Sequence, residues 1–283
     1  MPIDTTRAVG ATLPSSTYSW DEEDVILYHL GIGAGVPPTD PRELSYTYEG
    51  DLRVLPTFGA IPPFGLMMSL GTVDGLDFEL AAVLHGEHDL ELYRPLPPSG
   101  KVVQEGRVTG VFDKGKGALV IMEIESRSEK DGELLFTNRP SVFLRGEGGF
   151  GGEPGPSTGI EVPTRPPDLV ASSTTLPQQA LLYRIASGDH NPLHADPGFA
   201  AFAGYERPIL HGLCTYGIVG KSVVDHALDG DVKAVARFRA RFSGVVFPGE
   251  TVSTRIWADG SAWVVEAKVE ERSATVLSGV VSG

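Results

Sequence analysis

From about residue 78 the chain alternates. Apolar and β-branched residues trade places with polar ones near 89–94, 101–113, 117–128 and 133–144, the period of strands with one buried face. Turn residues separate these runs at Pro95-Leu-Pro-Pro-Ser-Gly100, Lys114-Gly-Lys-Gly117 and Lys130-Asp-Gly132, so an antiparallel meander is expected. A second set of four strands is expected near 233–244, 250–258, 262–271 and 274–281. Helical patterning marks three other stretches. Asp21 to Gly33 places acids first and a glycine last, residues 176–187 form an apolar run, and from Gly212 small or apolar residues recur at Leu213, Gly217, Gly220, Val224 and Ala227 before Gly230. A short helix opens at Asp196-Pro197. Gly217 and Gly220 are tolerable in a helix if a sheet approaches closely along that stripe. The first twenty residues read as a loose arm ending at Trp20. Residues 36–75 read as a long irregular segment, packed through Phe58, Phe64, Met67 and Met68.

The order helix then meander occurs twice. Each copy carries a Leu-His-Gly, at Leu84-His85-Gly86 and Leu210-His211-Gly212, and a proline turn before a long strand, at Pro98-Ser-Gly100 and Pro248-Gly249. The reading is an α+β tandem duplication: residues 1–145, a Gly/Pro linker over 146–166, and residues 167–283. The linker contains Gly146-x-Gly148-x-x-Gly151, nominally a dinucleotide fingerprint. No helix can follow it through Glu153-Pro-Gly-Pro156, which removes the required strand–turn–helix context.

The halves differ where chemistry is concerned. Only the second holds Asp189-His190-Asn191-Pro192-Leu193-His194, which sets a carboxylate, an amide and an imidazole within six residues. Gly188 and Pro192 end the preceding helix, so the three side chains sit on a tight loop where an Asp/His pair can move protons near neutral pH. Asp and Asn here are equally compatible with ordinary turn chemistry, each bonding its own backbone. Metal binding through His190 and His194 is disfavoured, because Pro192 breaks the helix that would align them. The free N–H groups at the helix start beyond, Gly212 among them, suit an anionic oxygen. An acid–base loop followed by an oxyanion donor is equipment for chemistry beside a carbonyl.

With 283 residues and 41% hydrophobic content the chain can bury one large or two ordinary cores. No signal segment or long apolar run is evident and the single cysteine, Cys214, reads as packing, which suggests a free-standing cytoplasmic protein of a reducing compartment. A net charge of −14 argues against nucleic-acid binding; an anionic ligand would need a local basic patch.

Ser187-Gly-Asp-His-Asn-Pro-Leu-His194, followed by Pro208-Ile-Leu-His-Gly-Leu213, resembles the signature of the (R)-specific enoyl-CoA hydratases, hydratase 2, of the MaoC-like double hot-dog class. Tyr48-Glu-Gly50, Leu55-Pro-Thr-Phe-Gly59, Val83-Leu-His-Gly-Glu87, Asp113-Lys-Gly115, Gly148-Gly-Phe-Gly-Gly152 and Arg241-Phe242 extend the resemblance along nearly the whole chain after residue 20. It implies two hot-dog units, each a curved sheet around a helix, packed sheet to sheet, with the first unit's long helix missing so that bulky acyl chains fit. It also implies reversible hydration of trans-2-enoyl-CoA to (3R)-hydroxyacyl-CoA without a cofactor or metal. Asp189 and His194 would be the catalytic pair, Asn191 would hold the water and the Gly212 N–H would bind the thioester oxygen. His85, Gly86, Lys114, His190 and Phe242 would contact acyl-CoA, and Glu49 would support the site from the first half. The partners expected are acyl-CoA and no nucleic acid or membrane, with a homodimer left open. Two other classes remain: a hot-dog acyl-CoA thioesterase, which would leave Asn191 and His194 idle, and a non-catalytic acyl-binding scaffold.

Overall fold

The computed structural model describes residues 3–79, 82–156 and 159–283. In the first half, α1 (Thr5–Ala8) and β1 (Ser16–Trp20) precede α2 (Glu22–Gly31), α3 (Pro41–Thr47) and α4 (Phe64–Met68); the strands β2 (Val83–Leu92), β3 (Gly100–Asp113), β4 (Gly117–Ser128) and β5 (Leu134–Arg145) follow. The second half runs β6 (Leu169–Thr174), α5 (Gln179–Ser187), α6 (Pro197–Phe202), α7 (Gly212–Ala227), β7 (Arg237–Phe242), β8 (Thr251–Asp259), β9 (Ala262–Val269) and β10 (Ala274–Ser282).

Among the described residues these ten strands form one antiparallel sheet in the order β1-β3-β4-β5-β2-β7-β10-β9-β8-β6. That order repeats about the central β2–β7 pair, where Glu87–Glu91 lies against Arg237–Arg241, so each half contributes five strands in equivalent places. The halves therefore join edge to edge and not face to face, and neither exposes its central edge. Arg237 closes the seam with two hydrogen bonds to the Asp89 carboxylate. The arm before Trp20 is not loose. It supplies β1, which pairs with β3 from Ser16↔Gln104 to Trp20↔Gly100, and α1, whose Ala8 is buried.

In the second half the sheet curves around α7, whose residues from Leu213 to Val219 are all buried. The glycine stripe of α7 does allow a close approach, but by the first half: a Cβ on Gly217 would meet Ile32 and the Tyr28 hydroxyl at 2.6 and 2.8 Å, and one on Gly220 would meet Thr57 at 2.5 Å. Among the described residues the first half has no helix of that length. Its sheet is covered by short turns instead: Phe58 packs edge-on against Trp20 and Tyr28, while Leu66, Met67 and Leu70 share a second apolar cluster with Val108, Val120 and Met122. A buried network ties the halves together at the far end of α7. Lys221 Nζ donates to Glu43 at 2.6 Å and Asp225 at 2.7 Å, and the Tyr46 hydroxyl donates to Asp225 at 2.8 Å.

The segment after β5 runs without helix or strand to β6, with Ser157 and Thr158 outside the described residues. It is packed, not slack. The Gly149 and Gly151 N–H groups donate to the Asp113 carboxylate, whose pKa these and neighbouring amides lower. The glycine-rich run thus does cradle an anion, and the anion is the chain's own side chain.

Candidate active site

Helix α5 ends at Gly188, which takes a left-handed conformation (φ 70°) that releases the chain into the Asp189 loop. The turn chemistry and the free chemical groups use different atoms. Asp189 Oδ1 accepts the Asn191 N–H at 3.0 Å, and Asn191 Oδ1 accepts the Leu193 N–H at 3.0 Å as the cap of the short turn Pro192–His194. That leaves Asp189 Oδ2 and the Asn191 amide NH₂ for other work, so both readings of this loop hold at once. His194 is fixed from behind. Its Nδ1 lies 2.9 Å from the Ile209 carbonyl, which only a protonated Nδ1 can satisfy, so Nε2 carries the lone pair and faces Asp189 Oδ2 at 4.0 Å. Burial holds His194 below its ordinary pKa, against the pull of the Asp189 charge. At neutral pH the imidazole is therefore an uncharged base.

A second imidazole shares this carboxylate. His211 Nε2 also stands 4.0 Å from Asp189 Oδ2, and the His211 ring stacks on His194 with centroids 3.7 Å apart and planes inclined by 25°. Its pKa lies well below the ordinary value, because of burial and then His194. Asp189, His194 and His211 bring ligand atoms within 4.8 Å of one another, as a metal site would. The stacking opposes that use. A metal must lie in the plane of each imidazole that binds it at about 2.0–2.1 Å, and two rings stacked nearly parallel have no such common point.

His211 is also the N-cap of α7, and no side chain caps that helix. The first N–H groups, Gly212 and Leu213, have no acceptor within the helix and open onto the same cavity as Asp189 and His194. The helix dipole adds positive potential there.

The cavity holds about 1010 Å³ and runs between the halves. Its wall is partly apolar, with Phe64, Met67, Met68, Leu70 and Phe78 of the first half, and partly polar, with Asp113, Lys114 and Arg241 beside the linker residues Pro154–Pro156.

Two stretches of the chain match known family models. Residues 18–146 match the MFE-2 hydratase 2 N-terminal domain and residues 160–280 match the MaoC like domain. The chain is 50% identical to the enoyl-CoA hydratase ChsH3 of Mycobacterium tuberculosis, over 99% of this chain and 98% of that one. It is 41% identical to the peroxisomal enoyl-CoA hydratase 2 of Arabidopsis thaliana, over 95% and 92%. The chain belongs to the MaoC-like hydratase 2 family. A solved MaoC-like dehydratase from Phytophthora capsici superposes with a TM-score of 0.88 at 29% identity, covering 99% of this chain and 97% of that structure. The peroxisomal multifunctional enzyme type 2 of Mus musculus is 44% identical, and this chain spans 37% of its length.

Within this hydratase 2 chain the expected site residues fall into two groups. Asp189, Asn191, His194, Gly212, His85, Gly86, Lys114 and Phe242 all line the cavity. Phe242 packs edge-on against His85 at 5.2 Å, and Gly86 sits at a bulge in the pairing of β2 with β5. The other two are elsewhere. His190 is exposed and is not among the residues that line the cavity. Glu49 lies on an exposed turn at Glu49–Asp51, remote from the lining because α3 and that turn pack toward the far end of α7. Phe58 belongs to the core and not to the cavity wall. Cys214 is buried, which pushes its thiol pKa up, and its Sγ contacts the Gly31 carbonyl. Two participants went unassigned from sequence: His211, and Tyr183, whose buried hydroxyl has no hydrogen-bond partner among the described residues and whose ring lies 5.0 Å from His211. The signals for the first were the repeated Leu-His-Gly and its place in Pro208-Ile-Leu-His-Gly-Leu213.

Proposed function

We propose that this chain adds water across the double bond of trans-2-enoyl-CoA to give (3R)-hydroxyacyl-CoA, and catalyses the reverse dehydration. The observation that carries the reading is the face-to-face arrangement of Asp189 Oδ2 and His194 Nε2 at 4.0 Å, beside uncapped helix N–H groups. Two acceptors at that separation are too far apart to bond each other and well spaced to share one water. The pair takes a proton from that water as its oxygen bonds to the third carbon. Charge then builds on the thioester oxygen, where the Gly212 N–H and the α7 dipole stabilise it, and the second carbon takes back a proton from the same pair. Asn191 Nδ2 is the donor left to orient the water.

Atoms balance with water alone, so no cofactor beyond the CoA of the substrate enters. On this reading CoA binds beside the cations Lys114 and Arg241 and the acyl chain lies against Phe64 and Met67, all of which line the cavity. No helix among the described residues is long and apolar enough to cross a membrane, and on this reading the protein acts in the cytoplasm, as a homodimer or as single chains. Incubation with crotonyl-CoA, followed by chiral analysis of the product, tests the assignment. Release of free thiol would make it a thioesterase, and absence of turnover in well-folded protein would leave it a binding protein.

A further inference from the structure

Beside the main cavity lies a second, smaller groove of about 380 Å³, bordered by Ser16, Thr17 and Tyr18 of β1, by Gly65 and Ser69, and by Gly188. Ile61, Phe64 and Ser187 line both spaces, so a wall one side chain thick separates them. Of the three, Ile61 and Ser187 are buried and fixed, and the Ser187 hydroxyl donates to the Tyr183 carbonyl at 2.7 Å. Phe64 is different. It is half-buried, opens α4 with no side-chain cap, and its ring belongs to none of the apolar clusters that hold the neighbouring Leu66 and Met67. A ring without core contacts changes rotamer at little energetic cost.

We infer that Phe64 is a gate and that the second groove receives the distal end of long acyl chains that outrun the main cavity. This rests on the acyl-CoA reading above and extends it to chain length. The chemistry of the groove fits that occupant. None of its lining residues is Lys, Arg, Asp or Glu; serine and threonine hydroxyls and the Gln104 amide, which is already bonded to Ser16 and Ser126, rim an apolar floor of Ile61, Phe64 and Leu66. A neutral alkyl terminus is therefore favoured, and a terminal carboxylate, having no cation to meet, is excluded. Gly65 leaves the floor open, since a Cβ there would touch nothing within 4 Å.

Plugging the groove from two different elements tests this. Gly65→Trp acts from α4 and Thr17→Trp from β1, both at exposed positions. The Kd values for butyryl-CoA and tetradecanoyl-CoA, saturated thioesters that cannot be hydrated, are measured by calorimetry on the full chain. Both variants are expected to weaken tetradecanoyl-CoA by about tenfold for every two methylenes denied burial, with butyryl-CoA unchanged. Phe64→Ala is expected to tighten tetradecanoyl-CoA severalfold. If either folded plug leaves the ratio of the two Kd values as in wild type, the groove is not used and the inference fails. Parallel crotonyl-CoA hydration separates that failure from failure of the hydratase reading, because binding is read without turnover.

Discussion

The two halves place the same tripeptide, Leu-His-Gly, on the wall of one cavity and do opposite things with it. In the second half, Leu210 ends a loop anchored by its N–H to the Val246 carbonyl at 2.7 Å, and Gly212 begins a 16-residue helix whose first N–H groups are uncapped. In the first half, Leu84-His85-Gly86 lies inside β2, paired with β5 across a bulge. Among the described residues no helix begins there, so that wall offers no helix terminus to an anion. Burial instead pushes the His85 pKa down to about 3, and its Nε2 has no partner among the described residues. A duplicated frame has thus kept a histidine on both walls, with acid–base groups on one and shape on the other.

The largest effect should come from removing the groups that only one half possesses. Asp189→Asn and His194→Gln are each expected to lower kcat by about two to four orders of magnitude. The double variant should fall little further, because the pair acts as one unit. His85→Gln, on the first-half wall, should cost far less. Stopped assays on crotonyl-CoA, with melting temperatures alongside, decide whether the asymmetry holds; comparable losses at His85 and His194 would break it.

Next comes the helix terminus itself. Gly212→Pro deletes the N–H while fitting the backbone, since proline suits the first helical position and His211 already has the extended conformation (φ −59°, ψ 137°) a following proline requires. Gly212→Ala keeps the N–H, and its Cβ would meet Phe242 at an ordinary 3.5 Å. The proline variant is expected to lose about 10²–10³ in kcat, the scale of one oxyanion donor, and the alanine variant little. Equal losses in both would assign the effect to packing against Phe242.

Most of this frame was legible in the chain. Strands β2 to β5 and β7 to β10 follow the alternation, and α7 begins at Gly212 as its pattern requires. β1 and β6 escaped notice for a physical reason: they are the two outer strands of the sheet, pair on one side only, and are built largely of Ser and Thr. The glycine stripe of α7 predicts a sheet in close approach, whereas Ile32 and Tyr28 near the end of α2 and Thr57 fill that place, because periodicity cannot say which element approaches. The Asp189 loop was local in sequence and therefore visible. The stacking of His211 on His194 spans 17 residues and depends on how Ile209 holds the His194 ring, so no spacing rule exposes it. Family resemblance carried Glu49 and His190 onto the site by position alone, and neither is among the residues that line the cavity.

Acid should then separate stability from catalysis. His29, His85 and His88 of the first half are held by burial at about 4, 3 and 4, and His194 and His211 of the second are also lowered. Unfolded, each would titrate near 6.5. Their stability contribution is thus fully present above about pH 6.5 and is lost as pH falls through the folded values, at about 1.4 kcal/mol per pH unit for each group that charges only on unfolding. Denaturation midpoints between pH 7.5 and 4.5 should show uptake of about two or more protons on unfolding. A flat profile would mean that these imidazoles are already hydrated.

The smallest effect concerns Lys114, which on the proposed reading meets the nucleotide of the substrate. Lys114 is exposed and its Nζ donates to the Pro156 carbonyl at 3.1 Å, so the amine sits on the linker that frames the opening. The whole chain is strongly acidic, at −14, and CoA is an anion, so local cations must offset a repulsive field. An exposed charge is worth little individually, of order 1 kcal/mol or less, and salt screens it. Lys114→Glu is accordingly expected to raise KM for crotonyl-CoA only several-fold, with kcat held, and the increase should shrink as ionic strength rises. The N-acetylcysteamine thioester of crotonate lacks the nucleotide and should be hydrated by the variant as by wild type. If both thioesters suffered alike, Lys114 would be bracing the linker through Pro156, and the recognition of CoA would pass to Arg241 on the second half.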